Sequence, residues 1–272
     1  MVLPPLYCLK PSFHSILCRL SLNGSEIVPG YIEMNEVLPM QKRKIWLLLY
    51  GIVLPGMLLA VHCGNRAVTA FAQRNIPPCA HRIVIDPGHG GVDGGATSCT
   101  GILESRFNLE ISLRLRDLFH LLGCRTRMIR TEDVSVYKTG ESIAQKKVSD
   151  LKERVRMVNE TPNALLVSIH QNNFPDGRYA GAQVFYAATP DSQLLAKVLQ
   201  TALVQNLNPG SNRKEKKSSG VYLMEHITRP GVLIECGFLS NPEEERKLRS
   251  EDYQQKLCCV IAVTLLDHLS NT

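Results

Sequence analysis

Three short aliphatic runs, each closing on a side chain able to do chemistry, constrain this chain more than any other feature. Ile83-Val84-Ile85 leads through Asp86-Pro87-Gly88 to His89, Ala164-Leu165-Leu166-Val167-Ser168-Ile169 leads to His170, and Val232-Leu233-Ile234 leads to Glu235. Runs this short, rich in β-branched residues and bounded by turn formers, read as strands buried on both faces. Helical periods lie between them. Apolar residues at 107, 109, 111, 115, 118, 119 and 122 share a helical face that Gly123 terminates. Leu151, Val155 and Val158 align on a helix over 150–159, residues 192–206 form an amphipathic helix, and 251–269 form the last one. Further strands are expected over 125–130 and 182–186. Strands alternating with helices give a single α/β domain, a mostly parallel twisted sheet between helical layers. In open sheets of this kind the site lies beyond the carboxyl ends of the strands. If the three strands are parallel neighbours, His89, His170 and Glu235 converge on one edge.

The turn after the first strand is Gly88-His89-Gly90-Gly91, followed by Gly94-Gly95. It contains no GxxxxGK[ST], and GHGGVDGG is not GxGxxG, so a phosphate cradle is not the reading. A histidine among glycines suits a ligand that the backbone must approach closely. Metal-assisted hydrolysis needs three N/O ligands, an open position for water and a nearby base. His89, His170 and one carboxylate supply the ligands of a zinc site, and Glu235 is the candidate base. Two carboxylates compete for the third ligand position. Glu104 lies just before the helix that begins near Phe107 and reaches the site from a loop; Glu110 lies between apolar helical positions and faces solvent. Asp86 is placed to orient a ligand from behind. No short local motif fixes this geometry.

Composition narrows the alternatives. The formal charge is +6 with pI about 8.8, but no basic stripe is interleaved with aromatics, so nucleic acid is not an expected partner. None of the 9 cysteines forms a CxxC pair, which removes a thiolate zinc site. Cys258 and Cys259 are vicinal in the last helix, so at least one faces the core. Cys236 offers a rival chemistry, a thiol hydrolase with His89 or His170. Its position immediately after Glu235 in a strand means that one of the two points away from the site. The polar, basic stretch 208–219 reads as a solvated loop near the substrate side.

Ahead of the domain, residues 45–61 carry no charge and follow Lys42-Arg43-Lys44. A basic flank before an apolar run marks a signal sequence or anchor, and ~17–25 residues are needed to cross a bilayer as a helix. His62 argues against cleavage and lipidation at Cys63. We read 1–39 as an extension ahead of the true start, with Met34 and Met40 as candidate initiators, 40–61 as the signal or anchor segment, 62–80 as a linker and 81–272 as the catalytic domain. The domain would then lie outside the cytoplasm, anchored to the membrane or secreted.

Five segments resemble the zinc-dependent N-acetylmuramoyl-L-alanine amidases of the type-3 family: IVIDPGHGGVDGGA (83–96), GILESRFNLEISLRL (101–115), DLKERVRMVN (150–159), LLVSIHQN (165–172) and VLIECGFLSNPEEE (232–245). GAQVFY (181–186) and GVYLMEHITRPGVLIE (220–235) resemble the germination-specific branch of that family. The resemblance implies zinc ligands at His89, Glu104 and His170 and a catalytic carboxylate at Glu235, and so favours Glu104 over Glu110. It also implies peptidoglycan as substrate and a role in spore-cortex maturation, where a muramic acid deacetylase works in the same route to muramic-δ-lactam. The forespore intermembrane space is the implied location. Cys236 stands where many relatives carry a small aliphatic residue. Rival readings of the same residues are a non-enzymatic peptidoglycan-binding module on an anchor, and another zinc hydrolase such as a carboxypeptidase or a glycan deacetylase.

Overall fold

Each aliphatic run becomes a strand of one sheet. The computed structural model describes residues 81–271, which fall within the compact unit Ala70–Thr272. In chain order the elements are β1 (Arg82–Pro87), α1 (Glu104–Leu121), β2 (Thr126–Met128), α2 (Ile143–Asn159), β3 (Ala164–Asn172), β4 (Gln183–Tyr186), α3 (Ser192–Leu207), β5 (Lys216–Lys217), α4 (Tyr222–His226), β6 (Gly231–Phe238), α5 (Pro242–Leu248) and α6 (Glu251–Ser270). The sheet order is β2-β1-β3-β6-β4-β5. The four strands β2, β1, β3 and β6 are mutually parallel, whereas β4 runs antiparallel to β6 and parallel to β5. The three strands carrying the candidate residues are therefore parallel neighbours.

The period-2 alternation of the strands sends alternate side chains to opposite helical layers. Leu165, Val167 and Ile169 of β3 pack with Ile83 and Ile85 against α1, α3 and α6, through residues such as Phe107, Leu115, Leu199 and Ile261. Leu166 faces the other way and joins Val84, Leu233, Val158 of α2 and Met224 of α4. Burying side chains of this size stabilises the fold by ~1.5–3 kcal/mol each before conformational entropy is counted.

Several boundaries differ from those expected. Helix α1 begins at Glu104, not near Phe107, because Glu104, Ser105 and Asn108 are polar residues that its first turn nonetheless buries. Helix α2 begins at Ile143 rather than 150, behind a capping box in which Ser142 and Gln145 satisfy each other's backbone N–H groups. Strand β2 is only 3 residues long, and β3 and β6 continue past His170 and Glu235. The basic stretch 208–219 is not wholly a loop, since Lys216 and Lys217 form the edge strand β5. Among the described residues no helix is long and apolar enough to cross a membrane; the anchor expected at 45–61 lies outside them.

Candidate metal centre and active site

His89, Glu104 and His170 meet at the carboxyl edge of the sheet. Each offers one ligand atom, and these atoms all lie within 4.8 Å of one another. Nε2 of His89 is 3.3 Å from Oε2 of Glu104, and Nδ1 of His170 is 3.0 Å from Oε1. The two imidazole rings meet edge to face at 5.0 Å. Asp93 Oδ2, 3.0 Å from His89 Nδ1, fixes the ring so that Nε2 points inward. Lys147 Nζ sits 3.3 Å from that same carboxylate oxygen.

Glu104 reaches the site from the first turn of α1, where the helix dipole favours a negative charge. Backbone N–H groups of Ala96 and Gln171 and the Nδ2 amide of Asn108 also donate to its oxygens, at 3.0, 3.1 and 3.2 Å. Burial raises the cost of its charge, but hydrogen bonds from His170 and His89 outweigh that and hold it well below the usual carboxylate range. Burial likewise opposes a charge on His89, and Glu104 and Asp93 overcome it, raising its pKa. Glu110 is excluded from the cluster: it pairs with Arg106 on the outer face of α1.

Two glycines make room for these three candidate ligands. A Cβ on Gly88 would lie 2.3 Å from Cε1 and Nε2 of His170. At Gly95, where φ is +68°, it would lie 2.6 Å from Glu104 Oε2 and 2.7 Å from His89 Cδ2. No side chain larger than hydrogen fits either place without displacing one of these three side chains.

Glu235 lies opposite His170 in the β3–β6 register, and with His89 and His170 it lines a cleft of about 300 Å³. Its Oε2 is shielded from solvent and has no hydrogen-bond partner among the described residues. Burial, partly offset by His170 and reinforced by Glu104, pushes its pKa up to about 7. A carboxyl group in that range can both take and return a proton near neutrality.

A family model described as N-acetylmuramoyl-L-alanine amidase matches residues 83–266. The chain belongs to that family. This amidase is 35% identical over 234 residues to the germination-specific N-acetylmuramoyl-L-alanine amidase of Bacillus subtilis, covering 85% of the present chain and 97% of that protein. Its identity to the B. subtilis amidase LytC is 29% over 187 residues, 68% of this chain but 34% of the longer LytC. Among solved structures it is similar to the CwlD amidase from Clostridioides difficile in complex with the GerS lipoprotein, at 36% identity and a TM-score of 0.68, over 71% of this chain and 100% of that one. Its activity is hydrolysis of the amide that joins N-acetylmuramic acid to L-alanine.

Two residues of the amidase that sequence reasoning passed over hold the His89 turn. Arg130 donates to the carbonyls of Pro87 (2.9 Å), Gly88 (2.9 Å) and Ser105 (2.9 Å). Arg154 donates to Pro87 O (3.1 Å) and His89 O (2.7 Å). Three consecutive carbonyls are thus clamped by two buried guanidinium groups, and the Ser105 contact ties the turn to the start of α1. His89 itself has φ +59°, a left-handed conformation costing about 1–3 kcal/mol in a non-glycine residue, and the clamp holds it there. Asp86, expected to act from behind the site, lies buried at the end of β1. It pairs with Arg154 and accepts from Ser168 Oγ at 2.7 Å, and so braces the turn through Arg154. The Arg154 charge outweighs burial and lowers the Asp86 pKa. The one sequence sign of this network is the i,i+4 pair Asp150 and Arg154, whose side chains meet at 2.6 Å.

The thiol alternative fails on geometry. Cys236 is fully buried in the cluster under α6, donates to Ile234 O at 3.7 Å, and has its pKa raised well above the ordinary thiol value by burial. A thiol in that setting is neither ionised nor exposed to substrate. Cys236→Ala is expected to keep metal-dependent turnover within about twofold and to lower stability by roughly 1 kcal/mol. Turnover by wild type and variant, with and without chelator, checks this. Cys258 is buried and Cys259 exposed, as their vicinal placement on one helix requires.

Proposed function

We propose that His89, Glu104 and His170 hold a zinc ion, that Glu235 is the acid–base residue, and that this amidase trims stem peptides from spore-cortex peptidoglycan. The donor set supports the metal. Two imidazoles and one carboxylate whose ligand atoms all lie within 4.8 Å of one another, with no thiolate, fit a catalytic zinc site that keeps a position open. When bound, zinc supplies Lewis-acid charge to the carbonyl and brings the pKa of water towards ~7. The observation that carries the reading is the Glu235 carboxyl group lining the same cleft as His89 and His170, with its pKa pushed up to about 7. Such a carboxyl group accepts a proton from the attacking water and returns it to the departing L-alanine nitrogen. The lactyl group of muramic acid is left with a free carboxylate.

Likeness to the germination-specific amidase supports the cortex role. Once the peptide is gone, removal of the 2-acetyl group by a muramic acid deacetylase frees an amine. That amine and the lactyl carboxylate are the two groups a muramic-δ-lactam joins, with loss of water. Peptidoglycan lies outside the cytoplasmic membrane, so the reading takes 81–272 as an extracytoplasmic catalytic domain and 45–61 as the segment that exports or anchors it. A binding module has no need of the complete acid–base and ligand set.

Purified peptidoglycan and zinc-loaded protein give the test. Mass spectrometry is expected to find free stem peptides and uncut glycan, and a chelator to stop their release. Cut glycan strands, or release unaffected by chelator, would reject the proposal.

A further inference from the structure

A row of rings runs away from Glu235 along the same edge of the sheet. Phe174 and Tyr179 meet edge to face at 5.0 Å in the loop after β3. Tyr179 stacks on Phe238, the last residue of β6, at 6.1 Å. The Arg213 guanidinium lies over the Phe238 ring at 5.0 Å. Arg213 Nη1 in turn reaches Gln183 Oε1 at 3.5 Å, and Gln183 lies opposite Glu235 in the β4–β6 register. The row is therefore tied to the strand that carries Glu235, starting where β6 ends.

Two features set this row apart from incidental surface packing. Phe174 and Tyr179 are each 48% exposed, so large ring faces are left in water although both sit in a short loop that buries little else. The loop carrying them is also tied down. Phe174 N–H donates to Ser240 Oγ at 3.2 Å, Asn241 Nδ2 to Tyr179 O at 3.1 Å, and Arg213 Nε to Ala180 O at 3.1 Å. The rings are thus presented on a fixed frame, and binding them loses little side-chain freedom.

The substrate supplies an occupant. The scissile amide joins a peptide to a sugar, so a bond held at Glu235 sends the two halves in different directions. The cleft on the His89 side is concave and carries an exposed cation, Lys147, which suits a peptide bearing carboxylates. In the other direction lie the two exposed rings, Phe174 and Tyr179, set nearly perpendicular to each other beside the buried Phe238. The C–H faces of pyranose rings pack on aromatic faces, and a guanidinium beside them donates to sugar hydroxyls and acetamido oxygens.

We infer that Phe174, Tyr179 and Arg213 form a subsite for the glycan strand of peptidoglycan, binding sugars next to the muramic acid whose amide is cut. The inference rests on the amidase reading of Glu235, and its test is chosen to fail separately from that reading. Phe174→Ala/Tyr179→Ala is compared with wild type and with the ring-preserving Phe174→Tyr/Tyr179→Phe. Zinc-loaded proteins are titrated with peptide-free glycan strands, which contain no scissile amide, and assayed on a muramyl dipeptide, which contains no neighbouring sugar. The alanine pair is expected to bind strands about tenfold more weakly while cleaving the muramyl dipeptide within about twofold of wild type, and the ring-preserving pair to bind strands as wild type does. Unchanged strand binding by the alanine pair would overturn the subsite whatever the turnover. So would an equal loss of strand binding and of muramyl dipeptide cleavage. Failure of wild type to cleave the muramyl dipeptide would bear on Glu235 and leave the strand titration to decide the subsite.

Discussion

Glu235→Gln is expected to keep its zinc and lose activity by a factor of ~10²–10⁴, the range associated with a positioned acid–base group. The substitution preserves shape and removes only the ability to carry a proton. Because the wild-type carboxyl group sits in a pocket that raises its pKa to about 7 and leaves Oε2 without a partner, a neutral amide is tolerated there. Stability should therefore stay within about 1 kcal/mol of wild type. Zinc content by elemental analysis and kcat on purified peptidoglycan measure the two halves of the expectation. A variant that holds zinc and turns over at the wild-type rate would remove Glu235 from the mechanism.

His89→Ala is expected to give the opposite pattern, losing the metal first and activity as a consequence. In the proposed site the ring is one of three ligands, and its loss should weaken zinc binding beyond the ~10–100-fold typical of an outer partner such as Asp93. The fold is expected to survive. His89 contributes a half-buried ring to the site, while the backbone of its turn is held through Pro87, Gly88 and His89 carbonyls by Arg130 and Arg154, contacts that do not involve the ring. Chelator competition reports the affinity, and circular dichroism with thermal melting reports the fold. A variant that kept full zinc affinity would disprove the ligand assignment; one that unfolded would show that the turn depends on the ring and not on the arginine clamp.

The parts of this fold legible in the sequence are those in which local pattern and final environment agree. β1, β3 and β6 are aliphatic along their length because both faces are covered, and His170 and Glu235 stand out because they interrupt that pattern. Glu104 was harder to place: its turn of α1 buries Ser105 and Asn108 as well, so the polar face that normally marks solvent here marks the site. The start of α2 was misread for the inverse reason. Ile143 is 73% exposed and Val148 51%, so its apolar residues near the start do not form the buried stripe, and only the Ser142–Gln145 spacing signals the beginning. β5, two exposed lysines, has no intrinsic strand pattern and exists through pairing with β4. Arg130 and Arg154 look like surface charges in a list of residues. Their burial comes from carbonyls and an aspartate distant in sequence, which no local window contains.

The clamp on three successive carbonyls separates two variables that small zinc domains couple. Where a metal organises its own ligands, removing it unfolds the chain. Here the ordering of the His89 turn is completed by folding, through protein–protein hydrogen bonds. Occupancy then adds to stability only by mass action, in proportion to the logarithm of free zinc over its dissociation constant. If the proposed zinc is lost, the hydrogen bonds of the clamp are still there to hold the turn, and little change in the far-ultraviolet circular dichroism on chelation is the expected result.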